Sequence, residues 1–567
     1  MRRLWSITFI SLAVVAGAAA YVVAGPVARM SAESAALARG LDRAAFIASL
    51  QKQARRRPRD ARAWLAFAIA SSIGEEGETS VNAKAFRRVF ELRPSWPAPR
   101  LILGALLVRE APLNRSAEYA SLDPERAKER KAEAEPLTAA QRGAIMEART
   151  VLEQARGLAP DDAAPDYLLA YLALAQRRDS EAEAALRAGM RKNGWEVGQR
   201  EAAVAQYEAY LRALPAFKEM LISPPLAGTS VAGLSEMARV LRGMAVQAER
   251  REDAERAIFL REAVMHLGRL TMAHGYDMSD PLRGIGIWCI ATTEPLTPRE
   301  ERRATAGLTK PKPDETGPLR ERWSDALRRA SQAKLASYLR AHRRPELADD
   351  IIPTERKLTD WRRQWRAALE RELARSRAFL AALNGFVDAL IAAGAAVMLL
   401  SVCGFAYLAL VAAKRRPQPI AWARWKWTLV VLGCFLIPIL ISVILHRHRE
   451  WEWWGPPMVG RSTPIFWGVT AAVVSLPLLV VVTLLVTWLV RRRRPLPENE
   501  QRPGFGRQYV GTLTAVLLPV TALLVVAAIG FWVPFAARSD AFSKREKVRI
   551  YQGELAYYGL PRPLSGR

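Results

Sequence analysis

The sequence is poor in the residues that build metal and disulfide sites. Its 567 residues include only three cysteines and five histidines, which is too few for a disulfide scaffold or a Cys/His metal centre. A disordered chain is also excluded, because half of the residues are hydrophobic and 17 are tryptophan. Because the sequence also shows no constellation of acid, base or nucleophile, we predict no metal, no organic cofactor and no catalytic centre.

Charge is absent from five long apolar stretches. A helix of about 20 apolar residues spans the hydrocarbon core of a bilayer, so each stretch predicts a membrane span. The stretches are 4–24, 389–413, 427–445, 465–490 and 510–537. Ionisable side chains, which a proton relay would require, are essentially missing inside them.

The cations between these stretches predict their orientation. Two arginines precede the first stretch, five cations lie within 414–426 and six within 491–507, whereas 446–464 holds three. Cytoplasmic loops carry the excess of Lys and Arg, so the N-terminus is predicted inside and residues 25–385 outside. The C-terminal tail is then also outside, although its cations run against the rule. The net charge of +27 thus marks membrane orientation and requires no nucleic-acid partner.

The first stretch has two interpretations. Arg2 and Arg3, the apolar run and the small residues Ala18 to Ala20 fit an uncleaved anchor and also a signal peptide. Both export the domain that follows. We therefore expect a multi-pass protein of a bacterial inner membrane, with its large domain in the periplasm or the exterior.

The exported part is rich in Ala, Leu, Arg and Glu, which favour helices, and we predict an all-α fold. Small and large residues recur at a spacing of 34 within predicted second helices of helical hairpins. The first set is Ala148, Leu152, Ala155 and Pro160, and the second set is Ala182, Leu186 and Gly189, followed by Gly194. The first helices echo this at a spacing of 66, where Leu103, Gly104 and Leu107 correspond to Leu169, Ala170 and Ala173.

This pattern resembles the tetratricopeptide repeat family over about residues 45–215. Small residues let two antiparallel helices approach, and Pro or Gly ends the second helix. The Trp-Leu-Gly-Tyr pattern of the family's first helix is never complete in this chain. The resemblance implies a stack of hairpins that binds a protein or peptide partner and does not catalyse a reaction.

The whole chain divides into six predicted regions. They are 1–24, an anchor or signal peptide; 25–220, tetratricopeptide-like repeats; 221–359, further helical hairpins and a Pro-rich linker at 296–319; 360–386, an amphipathic stalk helix; 387–537, a four-span bundle; and 538–567, an exported tail. The stalk carries Trp361, Trp365 and Leu369 at a helical spacing, so it packs either on the repeat domain or on anionic lipid. We also predict a hairpin of 234–247 and 253–274, and a helix capped by Asp280.

Isolated motifs carry no chemistry in this chain. Gly284 and Gly286 lack the strand and third glycine of a dinucleotide loop, so we predict close helix packing there. Ser331 and Lys334 fit a Ser-x-x-Lys motif without its companion motifs. The histidines and glutamates within 446–452 are residue types that bind metal ions, but their spacing matches no established metal site. Cys289 is expected to be a buried apolar residue.

Three prolines stand near the middle of predicted spans. Pro438, Pro477 and Pro519 each remove a backbone hydrogen bond, and three kinks at one depth would shape a cavity or a hinge. Proline is also common in membrane helices without such a role. The sequence therefore predicts a membrane-anchored scaffold or adaptor with a protein or peptide partner. The alternative is a transport or permease component with a Pro-kinked bundle.

Overall fold

A computed structural model describes residues 43–72, 81–111, 137–213, 233–311, 317–372, 481–492 and 544–563, with scattered positions at 7–18, 113–115 and 505–541. The chain forms two units. One comprises 1–42, 214–222 and 370–543, and the other comprises 43–213, 223–369 and 544–567. In the first unit, described helical residues lie mainly at 13–18 and 481–492.

The described residues do not test the predicted membrane bundle. Among them, no helix is both long and apolar enough to cross a bilayer. The predicted spans at 389–413 and 427–445, and all three kinking prolines, lie outside the described residues. The other three spans are described only in part.

The second unit, which we call the helical unit, is built from helices, and the all-α prediction is confirmed for the residues described. The helices are α1 (Arg43–Arg56), α2 (Ala61–Ser72), α3 (Ala83–Leu92), α4 (Ala98–Arg109), α5 (Ala139–Leu158), α6 (Ala164–Ala175), α7 (Asp179–Gly189), α8 (Gln199–Ala213), α9 (Leu234–Arg250), α10 (Ala254–His274), α11 (Ser279–Ala291), α12 (Pro298–Ala304), α13 (Pro318–Ala341), α14 (345–372), α15 (544–552) and α16 (Glu554–Tyr558). One hydrophobic core runs through it from Leu50 to Leu555.

Successive helices pair as hairpins that stack on one another. The pairs are α2 with α3, α4 with α5, α6 with α7, and α9 with α10. The first helices of adjacent hairpins also touch, α4 against α6 and α6 against α9. The pair of α9 with α10 confirms the hairpin predicted at 234–247 and 253–274.

The starts of these helices follow from their sequence. Pro99 and Pro165, 66 residues apart, occupy the first turns of α4 and α6, where the missing amide hydrogen costs nothing. Thr138 and Gln141 form a capping box that begins α5 by satisfying two amide groups at its start. These signals fix where α4, α5 and α6 begin.

Glycines allow the paired helices to approach closely. A Cβ atom on Gly104 in α4 would lie 2.6 Å from the Leu152 Cδ2 of α5, and one on Gly189 would lie 3.1 Å from the ring of Tyr167. Gly284 in α11 would meet the carbonyl oxygen of Gly268 at 2.8 Å, which confirms the close packing predicted there. Gly286 faces open space, so the same prediction is wrong for it.

The predicted repeat positions, apart from Pro160, lie within α5 and α7. Ala148, Leu152, Ala155, Ala182, Leu186 and Gly189 are all buried, whereas Pro160 is exposed in the turn after α5. The two turns that follow these helices meet, because Ala163 N donates to the Gly194 carbonyl at 2.9 Å and Gly194 N donates to that of Asp161 at 3.2 Å. Backbone hydrogen bonds therefore join residues that are 31 and 33 positions apart in the sequence.

Helix α8 lies on the first helices of the stack. It packs on α1, α2 and α4, and seven of its fifteen residues are buried apolar side chains. Gly198, with φ of 74°, lets the chain enter α8 against α4, because any side chain there would collide with Ile102 and the Ala98 carbonyl. The chain itself thus covers part of the surface that the first helices form.

Three local predictions need correction. Asp280 does not cap α11; Asp277 accepts the amide hydrogens of Ser279 and Asp280, and Asp280 is buried instead. The segment predicted as a linker contains the short helix α12, which begins with a second capping box. Cys289 is half-buried, and its Sγ lies 3.8 Å from both Glu355 and Arg362, so its surroundings are polar.

Candidate functional site

The C-terminal segment 544–563, which we call the tail, packs on the rest of the helical unit. From here on, the helical unit means the unit without the tail. It consists of α15, α16 and a short irregular end. Gly553 and Gly559 have φ of 95° and 65° and stand at the two ends of α16, where a left-handed backbone favours glycine. The tail therefore has a defined shape built from its own sequence.

Apolar side chains of the tail enter two parts of the helical unit. Ile550 is fully buried against Val204 and Tyr207 of α8. Leu555 is buried in the main core, and Tyr558 and Leu560 pack against that core while partly exposed. Burial of each such apolar side chain contributes about 1.5–3 kcal/mol before the cost of ordering the tail.

The loop before α11 holds the middle of the tail through backbone groups. The Tyr276 hydroxyl donates to the carbonyl oxygens of Ile550 at 2.7 Å and Arg549 at 3.3 Å. In return, Glu554 N donates to the Tyr276 carbonyl at 3.0 Å, and the Glu554 carboxylate accepts the amide hydrogen of Met278 at 2.9 Å. A Cβ atom on Gly553 would lie 2.5 Å from the Tyr276 carbonyl oxygen, so glycine is required there.

The cation Arg549 is neutralised within the tail. Its guanidinium lies 3.1 Å from Glu546 and 3.1 Å from Glu554. Burial disfavours its charge, but the two carboxylates outweigh burial and raise the pKa of Arg549 above its usual value. The same carboxylate of Glu554 thus binds both the tail's own arginine and the Met278 amide.

The far end of the tail reaches α14. The indole Nε1 of Trp361, a residue only 3% exposed, donates to the carbonyl oxygen of Pro561 at 2.7 Å. Trp365, one turn further along, packs partly buried against the core. The two tryptophans of the predicted stalk therefore contact protein.

Asp280 supports the loop that carries Tyr276. Its carboxylate accepts the Tyr276 amide hydrogen at 3.2 Å and the Gln199 side-chain amide at 3.3 Å. Burial, followed by repulsion from Asp277, raises the pKa of Asp280 to about 6. Because Gln199 begins α8, this one carboxylate joins the tail-binding loop to the helix on which Ile550 rests.

These contacts describe recognition of a peptide segment. The helical unit binds three backbone carbonyl groups through Trp361 and Tyr276, and one carboxylate through a backbone amide. It also packs against apolar side chains of the tail in two separate buried clusters. Backbone contacts supply affinity in such complexes, and side-chain pockets supply selectivity.

Other polar clusters hold helices together. Arg261, 1% exposed, binds Glu249 at 2.8 Å, Glu294, and the Ala291 carbonyl at 3.0 Å, which ties α10 to the ends of α9 and α11. Buried Asp166 at the start of α6 pairs with Lys192 at 2.6 Å.

Ser331 and Lys334, the Ser-x-x-Lys residues of α13, each bind a different part of the chain. The Ser331 hydroxyl exchanges hydrogen bonds with the backbone of Glu294, and Lys334 Nζ donates to Glu300 at 3.0 Å. Across the described part of the chain, no cluster of His, Cys, Asp or Glu is placed to hold a metal ion. The candidate ion ligands at 446–452 lie outside that part.

Sequence reasoning missed the tail as a binding element. It assigned 538–567 as an exported tail and placed Trp361 on a helical stripe, but it did not predict Tyr276, Met278 or Glu554 as partners. One signal was present, since the tail's cations contradicted the orientation rule. Arg549, paired with two carboxylates, is part of that excess charge.

Comparison with protein-family models, curated proteins and solved structures gives no match for this chain. The likeness to tetratricopeptide repeats accordingly stays a prediction from the residue pattern.

Proposed function

We propose that this chain is a membrane-anchored scaffold or adaptor that binds a protein or peptide partner through its helical unit. In this proposal the hairpins at 43–213 are tetratricopeptide-like repeats and 387–537 form a four-span membrane bundle. The role is binding, with no catalytic step and no cofactor.

One observation carries the proposal: the helical unit binds a peptide segment from a distant part of its own sequence. Tyr276 contacts residues more than 270 positions away through hydrogen bonds to their carbonyl groups. A surface that recognises backbone groups and one carboxylate has the chemistry needed to recognise a partner peptide. Stacked hairpins with touching first helices are the architecture in which such surfaces commonly occur.

The packing of the tail against α14 supports the proposed location. Helix α14 stands before the four predicted C-terminal spans and the tail stands after them, yet both pack on the helical unit. Loop cations predict that both ends lie outside an inner membrane. Pairing of Arg549 with Glu546 and Glu554 reduces the charge that opposes export of the tail.

Location can be tested by cysteine labelling of the full chain. In a background with its three cysteines replaced, single cysteines at the exposed positions Gln552 and Glu153 should react equally with a membrane-impermeant maleimide added from outside. A cysteine within 414–426 should react only after permeabilisation. Labelling of Gln552 and Glu153 from opposite sides would refute the proposed topology.

Partner binding can be tested by photocrosslinking in native membranes. A photoreactive residue is placed at exposed positions of the helical unit, among them Met146, Arg177, Glu252 and Lys547. We expect neighbouring positions to give one discrete adduct of the same mass, and distant positions to give none. A scan of the whole exposed surface without any discrete adduct would contradict an adaptor role.

A further inference from the structure

We infer that the surface beneath the tail is an exchangeable peptide-binding site, which residues 544–563 occupy within the same chain. Its wall is made by Tyr276, Met278, Trp361 and the outer face of α8. The kind of partner that it fits is a segment with the tail's own pattern, Arg-Ile-x-x-Gly-Glu-Leu. The inference rests on the proposed function and names the site through which it acts.

The pattern follows from the contacts position by position. The arginine neutralises the glutamate, the isoleucine packs against Val204 and Tyr207, and the glycine passes the Tyr276 carbonyl where a side chain would collide. The glutamate accepts the Met278 amide hydrogen, and the leucine enters the core. A segment that lacks any one of these features loses a specific contact.

The tail buries fewer apolar side chains than α8, the helix on which it packs. Ile550 and Leu555 are buried, whereas Lys547, Tyr551, Gln552 and Ala556 are exposed. Helix α8 buries seven apolar side chains over a shorter length. Segments with few buried apolar contacts open locally while the rest of a domain stays folded.

When the tail leaves, it exposes apolar side chains and unpaired polar groups that another segment can bind. Val204 and Tyr207 lose their apolar cover, and the Tyr276 hydroxyl and Trp361 indole lose the carbonyl groups they bind. Polar groups without partners beside exposed apolar side chains favour replacement of the tail by a segment that restores the same contacts.

The experiment uses a fluorescent synthetic peptide of residues 544–563 and the detergent-solubilised chain ended after Ser543. We expect saturable binding, and binding at least tenfold weaker to the intact chain, whose own tail competes. Peptides with Ile550→Ala or Glu554→Gln should bind at least tenfold more weakly. The matched control, Lys547→Ala, changes an exposed cation and should bind within about twofold of the original.

A second arrangement keeps the inference falsifiable if the shortened chain does not fold. A cleavage site for a specific protease is inserted between Ser543 and Lys544 of the full chain. The protease then cuts the chain at this site after the protein has folded. We expect labelled peptide to exchange into the cut protein and not into the uncut protein.

Three results would overturn the inference. They are a cut chain that retains its tail without exchange, equal binding to intact and shortened chains, and equal binding of the Ile550→Ala peptide. None of these tests requires an external partner. A chain that exchanges its tail but gives no photocrosslinked adduct would contradict the proposed function and leave this site standing.

Discussion

The indole Nε1 of Trp361 donates a hydrogen bond to the carbonyl oxygen of Pro561, at 2.7 Å and across 200 positions of sequence. This bond attaches the end of the tail to α14, the helix that leads into the predicted membrane segment. Together with the bonds of Tyr276 to Arg549 and Ile550, it holds the tail at two places.

Trp361→Phe should loosen the end of the tail while keeping most of the aromatic packing. Loss of one buried hydrogen bond costs about 1 kcal/mol, which raises the open fraction of the tail roughly fivefold. Hydrogen exchange of residues 555–563 in the full chain should therefore accelerate. Trp365→Phe, one turn further along α14, is the control and should leave exchange in the tail unchanged; equal acceleration in both variants would show that the bond to Pro561 is not the cause.

Gly104→Ala and Gly143→Ala should have opposite effects on stability. The new Cβ at position 104 would lie 2.6 Å from Leu152, whereas the one at 143 meets nothing within 4 Å. Overpacking costs about 1–3 kcal/mol, and replacing a helical glycine by alanine gains up to about 1 kcal/mol. In thermal denaturation of the full chain we expect Gly104→Ala to melt lower than wild type and Gly143→Ala slightly higher, and the reverse order would contradict close packing at Gly104.

Arg261→Met should destabilise the helical unit strongly. It would leave the buried carboxylate of Glu294 and the half-buried one of Glu249 without their cation, and breaking a buried pair costs about 3–5 kcal/mol. Arg149→Ala is the matched comparison, because Arg149 pairs with Glu153 and Glu181 on the exposed surface, where pairs contribute about 0–1 kcal/mol. Similar losses of melting temperature in both variants would contradict the structural role assigned to Arg261.

Asp280 should make stability depend on pH. Burial raises its pKa from 3.8 to about 6, so the folded protein binds this proton more tightly than the unfolded chain does. Its contribution to stability is therefore greatest below pH 3.8 and is lost as the pH rises through 6, by on the order of 3 kcal/mol. Denaturation midpoints between pH 4 and 7 should fall less steeply for Asp280→Asn than for wild type, and parallel slopes would refute this assignment.

The stacked hairpins could be predicted because their signals are local. The 34-residue spacing of Ala148, Leu152 and Ala155 with Ala182, Leu186 and Gly189 reflects small residues at helix contacts, and all six are buried. The start of α10 was predicted within one residue, since Asp253 caps the helix through its side chain.

The tail contacts could not be predicted for the opposite reason. Tyr276 and Ile550 are separated by 274 positions, and no periodicity in either segment refers to the other. Asp280 was misassigned because aspartate before proline is a common helix start, and the alternative acceptor, Asp277, stands only three residues earlier. Sequence rules allow either aspartate to cap the helix. In the structure Asp277 does so, because Asp280 is buried and accepts a hydrogen bond from Gln199.

The Trp361–Pro561 hydrogen bond also has a topological meaning. The chain that leaves α14 returns to it, so the residues between these two positions form a closed circuit. A closed circuit that passes through a sheet of lipid must pass back through it, and the number of passages is even. The four spans that we propose between residues 361 and 561 meet this requirement, because their number is even.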